Sequence, residues 1–241
     1  MFNTCKSIVS ILLAVSMAVM VTAQKVETEK VAPDETENVV PLETDSVSVP
    51  LWQGVTIEAD VMPLISNLLN DISTFRYEAA ARINLFNKYY PVVEVGYEGQ
   101  HSELSSGIDY VASGLFYRLG VDFNLVKSKD KQSTNNKFLV GARLGFSSFE
   151  YDMLNVKVRD EYTNQNLRQD FTDLTNNSLW FEVVAGIRIE VVKRVTLGWS
   201  VRMKNQIIQP VTGVLQPWSI PGYGLSGGNV WAFNYMIGYQ F

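Results

Sequence analysis

The side chains that could do acid–base chemistry or bind an ion are charged residues at alternate positions of apolar segments. Glu58 with Asp60, and Glu94 with Glu98, would each put two carboxylates on one face of a strand. Such a pair could hold a cation or act as an acid and a base. Arginines occupy similar positions elsewhere in the chain, and an arginine beside a carboxylate forms a salt bridge. The pattern therefore favours structural ion pairs over a catalytic or metal site.

The only histidine, His101, lies beside the parts of a hydrolase site, since Ser102 and Glu103 follow it directly. Further serines lie nearby, at Ser105, Ser106 and Ser113. A nucleophile and its base must meet in space, whereas adjacent residues on a strand point to opposite faces. A hydrolase that acts through a predicted outer loop at His101 is therefore an alternative hypothesis. An ordinary polar loop residue is favoured, and no catalytic residue is assigned.

One glycine motif resembles a dinucleotide-binding sequence. Residues 222–227, GYGLSG, have the G-x-G-x-x-G spacing. A dinucleotide site needs this motif between a strand and a helix whose amino end meets the pyrophosphate. Here Pro217 and Pro221 precede the motif and an alternating aromatic segment follows it. The context predicts a flexible surface loop, and no cofactor is expected.

The amino-terminal segment, residues 1–23, has the layout of a secretory signal peptide. Lys6 precedes an apolar run from Ile8 to Val21, and small residues lead to Gln24. The only cysteine, Cys5, lies before this run. The exported chain is therefore expected to contain no disulfide, thiol nucleophile or cysteine metal site.

Residues 24–50 are expected to form a disordered, acidic periplasmic leader. They carry seven acidic side chains, two lysines and three prolines, and this composition offers too little apolar surface to offset the entropy of ordering. Asp45-Ser46-Val47 resembles a short O-glycosylation acceptor of Bacteroidota, although a solvated linker is the favoured interpretation. The whole chain carries 20 basic and 25 acidic side chains, and no nucleic-acid partner is expected.

Eight alternating segments, which predict β-strands, fill residues 51–241. A short stretch at 62–72 has some helical spacing, but Pro63 favours a loop there. The eight segments are residues 53–62, 74–86, 91–99, 114–126, 137–150, 178–192, 194–205 and 229–241.

Charges of both signs share one face of these segments, while large apolar residues occupy the other. A solvated face needs neither a balance of charge nor a preference for arginine, whereas a confined interior must pair each charge. Glycines on the same face would leave room for long side chains. The acids are Glu58, Asp60, Glu78, Glu94, Glu98, Asp122, Glu182 and Glu190; the bases are Arg76, Arg82, Arg118, Arg143, Arg188, Arg202 and Lys204; the glycines are Gly96, Gly120, Gly141, Gly145, Gly186 and Gly198.

The connections alternate between short and long, as in barrels that cross an outer membrane. Short links are predicted at 87–90, 127–136 and around Lys193, and longer ones at 63–73, 100–113, 151–177 and 206–228. An amino end on the periplasmic side places the long connections outside the cell. Two of them, 151–177 and 206–228, are candidate contacts for a surface partner. The alternatives are that 151–177 extends the fifth and sixth strands above the membrane, and that 206–228 folds over the mouth of the barrel or dips into the headgroup layer.

The final segment, 229–241, resembles the targeting strand of outer-membrane barrels, with an aromatic end at Phe241 and large residues at alternate upstream positions. This resemblance implies recognition by the barrel assembly machinery and contact with outer-membrane lipid. Together, the predicted signal peptide, the eight segments and this ending resemble the small barrels of the OmpA and OmpX type. The leader and the cleavage site also resemble barrel proteins of Bacteroidota.

These features predict an all-β fold: an eight-stranded, antiparallel, up-and-down transmembrane β-barrel with a polar, salt-bridged interior. Eight strands enclose a space that side chains can fill, so a wide diffusion pore is not expected. The predicted role is structural or loop-mediated binding in the cell outer membrane, without catalysis. The hydrolase at His101 is one alternative. A soluble, lipocalin-like carrier, with aromatics inside and charges outside, is another.

Overall fold

An antiparallel ring of eight long strands encloses a filled interior. The computed structural model describes residues 50–63, 74–126, 136–159, 166–208 and 215–241. The strands of the ring are β1 (Trp52–Asp60), β2 (Thr74–Leu85), β3 (Tyr89–Glu103), β4 (Asp109–Asn124), β5 (Lys137–Arg159), β6 (Asn166–Val192), β7 (Val195–Ile208) and β10 (Val230–Gln240), and a separate small hairpin comprises β8 (Ser219–Ile220) and β9 (Gly224–Leu225).

The ring is closed because β10 pairs with β1 as well as with β7. Every other strand of the ring pairs with its neighbours in the chain order, so the predicted up-and-down, eight-stranded antiparallel arrangement is confirmed as a closed ring. Closure removes the unpaired edges that an open sheet would present to its surroundings. We call the end that carries the β2–β3, β4–β5 and β6–β7 connections the lower end, and the opposite end the upper end.

The lower connections include two tight turns, as the sequence predicts. Phe86–Lys88 joins β2 to β3, and Asn84 accepts a hydrogen bond from the backbone N–H of Asn87 through Oδ1 at 3.0 Å. Lys193 and Arg194 join β6 to β7, and Arg194 has a φ of 73°. Most of the predicted links 63–73 and 127–136 lies outside the described residues.

The upper ends of four strands extend further than predicted. The predicted loop 100–113 is wrong, because β3 continues to Glu103 and β4 begins at Asp109. Gln100–Glu103 pair with Asp109–Ala112 through the backbone ladder, which forms without regular alternation of apolar side chains. Of the two interpretations of 151–177, the structure supports strand extension, with β5 reaching Arg159 and β6 beginning at Asn166.

The two faces of the ring differ in composition as predicted. On β4, Leu115, Tyr117 and Leu119 point outward and are 45%, 46% and 60% exposed. The intervening Phe116 and Arg118 point inward and are fully buried. The described residues contain no helix that is long and apolar enough to cross a membrane.

The amino-terminal predictions concern residues that the structure does not describe. The signal peptide at 1–23, the Asp45-Ser46-Val47 acceptor motif and the leader up to residue 49 lie outside the described residues.

Candidate functional site

Twelve buried charged side chains form a layer inside the ring, which we call the charged layer. The layer contains six carboxylates and six cations, so its formal charge is balanced. Three further predicted members, Arg76, Glu98 and Glu190, are only partly buried near the ends of their strands. The twelve buried members are Glu58, Asp60, Glu78, Glu94, Asp122, Glu182, Arg82, Arg118, Arg143, Arg188, Arg202 and Lys204.

Glu94 lies at the centre of the charged layer and contacts three arginines from three other strands. Its carboxylate accepts hydrogen bonds from Arg118 Nη1 at 3.1 Å, Arg143 Nε at 3.1 Å and Arg202 Nη1 at 2.5 Å. Since such hydrogen bonds join ionised groups, they are stronger than neutral ones. Glu94 therefore links β3 to β4, β5 and β7 across the interior.

Below Glu94, two arginines make bidentate contacts and a third bridges them. Arg143 donates to both oxygens of Asp122 at 2.7 and 2.9 Å, and Arg188 donates to both oxygens of Glu58 at 2.9 and 3.1 Å. Arg82 lies 3.4 Å from Glu58 and 3.0 Å from Asp122. The predicted salt-bridged interior is therefore confirmed.

Interior glycines make space for these side chains, as predicted. Gly120 is the cross-strand partner of Arg143, and a Cβ at Gly120 would lie 2.6 Å from the arginine Cδ. Gly198 faces Arg188, and a Cβ there would lie 2.6 Å from Nε. Because real Cβ atoms do not approach other heavy atoms this closely, the arginine conformations require glycine opposite them.

Above the charged layer, the interior changes to an aromatic layer. The buried aromatic rings contact one another in tilted or edge-to-face arrangements, and Trp180 lies 5.7 Å from Tyr223 in an edge-to-face contact. Trp180 Nε1 also donates to Glu182 Oε1 at 2.7 Å, which joins the two layers. The aromatic layer comprises Tyr110, Ala112, Phe116, Phe149, Tyr151, Met153, Val156, Trp180, Ile220 and Tyr223.

Residues 216–228, which we call the mouth hairpin, fold into the upper end of the ring. Ile220 and Tyr223 of this hairpin are fully buried in the aromatic layer. Tyr110 donates its hydroxyl hydrogen to the carbonyl of Ser219 at 2.6 Å. Of the two interpretations of 206–228, the described residues of the hairpin support folding over the mouth.

The G-x-G-x-x-G segment lies at the tip of the mouth hairpin. Gly222 accepts hydrogen bonds through its carbonyl from Arg118 Nη2 at 2.9 Å and Lys204 Nζ at 2.6 Å, and its N–H donates to Glu98 at 2.7 Å. Its φ is 78°, a conformation that suits glycine. Burial raises the pKa of the neighbouring Tyr223 hydroxyl above its usual value. The prediction of a flexible surface loop is therefore wrong for Gly222 and Tyr223, because the cations beneath require the Gly222 carbonyl.

His101 lies on β3, exposed and opposite Val111, rather than in the predicted loop. The neighbouring Ser102 hydroxyl accepts a hydrogen bond from the Gln100 amide at 3.0 Å. Among the described residues, no hydrogen bond joins His101 to a serine or a carboxylate. The described residues also contain no group of His, Cys, Asp and Glu side chains arranged to hold a metal ion. The hydrolase hypothesis stays a prediction.

Cavities in the described part of the ring include a small one and a larger crevice. One, of about 10 Å³, lies inside the charged layer and is lined by arginines, Asp122 and Ser200. A crevice of about 220 Å³ lies where β1 ends, beside Asp60, Arg76 and Phe233. Charges inside and large apolar residues outside are the reverse of what the lipocalin-like hypothesis requires.

Comparison with known proteins identifies a family for this chain. No curated protein matches the chain. The model described as a domain of unknown function, DUF6048, matches residues 4–241. Because this match covers nearly the whole sequence, the chain belongs to the DUF6048 family.

Proposed function

We propose that the protein is an outer-membrane β-barrel of the OmpA and OmpX type, from a Bacteroidota envelope. Its role is binding at the cell surface rather than catalysis. The observation that carries the proposal is the closed ring with paired charges inside and large apolar side chains outside. A closed ring satisfies its backbone hydrogen bonds internally, which hydrocarbon surroundings demand.

The height of the outward apolar face matches a bilayer. On β4 and just beyond it, every second residue from Leu115 to Leu125 is apolar and points outward or lies at the lower rim. Ten residue steps of ~3.3 Å give about 33 Å along the strand, or about 25 Å across a membrane at a tilt of about 40°. This height is typical of the apolar band of outer-membrane barrels.

A reversal of polarity along β5 supports the upper limit of this band. Leu144 and Phe146 point outward and are exposed, whereas the next outward positions are Ser148 and Glu150. Over the same stretch, the buried side chains that point inward change from the charged Arg143 to Phe149 and Tyr151 of the aromatic layer. An outer face that becomes polar while the interior becomes apolar is expected where lipid gives way to water.

The filled interior supports a binding or structural role over diffusion. Side chains of the charged layer cross the ring and contact strands on the opposite wall, as Arg188 of β6 does with Glu58 of β1. The mouth hairpin occupies the upper end as well. An eight-stranded ring has space for such side chains but not for an additional aqueous channel.

The upper extension of β5 and β6 is the proposed binding element. Among the described residues, pairing of β6 with β7 begins at Leu179, so Asn166–Ser178 have β5 alone as strand partner. Asp170 accepts a hydrogen bond from the N–H of Asn155 at 2.8 Å, and Asp152 accepts one from Asp173 at 2.9 Å. These contacts hold the two strands together at their bulges. In the described part of the chain no strand lies on the other side of this segment of β6, and such an edge suits the addition of an extended strand from a partner.

The location is tested by extraction and gel mobility. The mature protein should require detergent for release from outer membranes. A closed barrel should also migrate differently in unheated and heated samples on a denaturing gel. Release by salt alone, with no difference in mobility, would contradict the membrane location.

The binding element is tested with a variant in which a short turn replaces residues 154–170 and joins the cross-strand partners Met153 and Phe171. This change removes the upper part of the β5–β6 extension and leaves the pairs of β5 with β6 below it. We expect the variant to keep the heat-dependent mobility and to lose adhesion to envelope or host-surface extracts that the unaltered protein binds. Equal binding by both proteins would refute a role for the extension.

A further inference from the structure

A small internal cavity in the lower half of the ring lies among positively charged groups. Its volume is about 10 Å³, which is about the space of one water molecule or one small ion. Four arginines from β2, β5, β6 and β7 line it, with one carboxylate and one hydroxyl. The polar lining residues are Arg82, Asp122, Arg143, Arg188, Ser200 and Arg202.

Three hydrogen-bond donors on residues that line this cavity have no hydrogen-bond partner among the described residues. They are the Ser200 hydroxyl and the Nε atoms of Arg82 and Arg202, all buried. Buried polar groups are nearly always hydrogen-bonded, so unsatisfied donors beside a cavity indicate an occupant that accepts hydrogen bonds. These donors lie inside the ring, so the need for an acceptor is the same whether the outer face of the ring contacts lipid or water.

The charge around the cavity favours an anion over a neutral occupant. Arg82, Arg143 and Arg188 share two local carboxylates, Glu58 and Asp122. Another carboxylate, Glu94, forms ion pairs with Arg143 and also with Arg118 and Arg202. At the lower rim, the partly buried Lys137 and Glu190 add one charge of each sign. In the lower half, three guanidinium groups therefore share two carboxylates and part of the charge of Glu94, so positive charge predominates around the cavity.

We propose that the cavity binds a small monovalent anion of the size of chloride, held by Ser200 Oγ and the surrounding guanidinium groups. Phosphate and sulfate are too large for this volume. The anion accepts hydrogen bonds from donors that have no other partner, so its role is to stabilise the ring. This inference goes beyond the proposed surface function, and it holds whether or not the protein binds a partner.

The first test uses the full-length mature protein in detergent, with bromide as the probe. Crystals grown in sodium bromide should show an anomalous peak within hydrogen-bond distance of Ser200. Unfolding in urea should require a higher urea concentration in sodium chloride or bromide than in sodium gluconate at equal ionic strength, with a saturable dependence on halide. Equal unfolding in all three salts, together with density for water alone, would overturn the proposal.

Two substitutions at one position separate an anion from a water molecule. Ser200→Ala removes a donor and should weaken the halide dependence by about tenfold. Ser200→Asp should abolish it, because the fixed carboxylate replaces the anion. Ser147→Ala is the matched control, since that buried hydroxyl donates to Leu115 O at 3.1 Å in the aromatic half. An equal loss of halide dependence in both alanine variants would refute the site. If Ser200→Asp does not fold, the bromide peak in the unaltered protein decides.

Discussion

The charged layer and the aromatic layer fill the same ring by different physical means. In the charged layer, five of the six carboxylates contact arginines from more than one strand, as Glu94 does with Arg118, Arg143 and Arg202. In the aromatic layer, contacts between large side chains predominate, with single hydrogen bonds from residues such as Tyr110 and Trp180. Ile220 and Tyr223 of this layer come from the separate mouth hairpin. All side chains of the charged layer therefore come from the strands of the ring. Part of the aromatic layer comes from the mouth hairpin, which can be deleted.

This difference has a consequence for how each layer tolerates change. Loss of one member of a buried ion network leaves its partners charged and unpaired. Loss of an aromatic ring leaves a cavity, whose cost depends on how far its neighbours relax. Arg118 of the charged layer connects the two layers, since it pairs with Glu94 and donates a hydrogen bond to the Gly222 carbonyl of the mouth hairpin. We therefore expect the charged layer to seal and stabilise the ring and the hairpin to stabilise the upper mouth.

The largest effect should follow from Glu94→Gln. The substitution keeps the shape of the side chain but removes the charge that three arginines share, so we expect a loss of about 3–5 kcal/mol in the free energy of unfolding. Urea unfolding in detergent, followed by tryptophan fluorescence and by heat-dependent gel mobility, measures it.

Glu103→Gln is the control for this change, since Glu103 is an exposed residue of the same strand. It should alter stability by no more than about 0.5 kcal/mol. A similar loss in both variants would show that the charged layer has no special role.

The sequence predicts the charged layer well because the outer and inner faces of those strands differ sharply in polarity. Arg143 alternates with Leu144 and Phe146, so the period and the face are both evident. The glycines opposite the arginines are predicted for the same reason, since a long side chain in a narrow ring needs a small neighbour. The spacing of the charged residues thus predicts the strands of the ring and which face of each strand points inward.

The aromatic layer is much harder to predict from the sequence. Along β5 the alternation continues into Phe149 and Tyr151, but there the apolar face points inward and Glu150 points outward. Apolar residues still recur at every second position, but they now lie on the inner face of the ring instead of the outer face. The change occurs because the surroundings of the outer face change along the strand. Ile220 and Tyr223 lie in a proline- and glycine-rich segment without regular periodicity, so their burial depends on contacts with distant strands.

A second, smaller effect should follow from replacing residues 207–228 with a short turn. Lys204 and Val230 are cross-strand partners, so a short connection can span the gap between β7 and β10. The change removes the carbonyl acceptors of Arg118 and Lys204, and we expect a loss of about 2–3 kcal/mol. The ring should still form and keep its heat-dependent mobility.

The same variant tests which layer seals the ring. If the charged layer does, current through a planar lipid bilayer should stay at the level of the unaltered protein after deletion of the hairpin. Large, steady channels in the variant alone would show that the mouth hairpin is the seal, and would reverse the comparison between the layers.

A third effect should be confined to the upper mouth. Tyr223→Ala removes a fully buried ring that contacts Trp180, so the mouth hairpin should lose its anchor and become sensitive to protease between residues 215 and 228. Tyr223→Phe keeps the ring and loses only the hydroxyl that donates to Gly228 O, with an expected cost of about 1 kcal/mol. Equal protease sensitivity in both variants would mean that the hydroxyl, rather than apolar packing, holds the hairpin.

The smallest effect should follow from His101→Ala, which lies outside both layers. The side chain is exposed and lies opposite Val111 on β4, so its removal leaves every contact of the charged and aromatic layers in place. We expect the free energy of unfolding to change by no more than about 0.5 kcal/mol, with unchanged gel mobility and binding. Ester and peptide substrates offered to both proteins provide the decisive measurement. Hydrolysis by the unaltered protein that disappears in the variant would establish the enzymatic alternative, since a catalytic base is lost without loss of fold. Absence of hydrolysis in both, with intact binding, would leave the two layers as a scaffold for the β5–β6 extension.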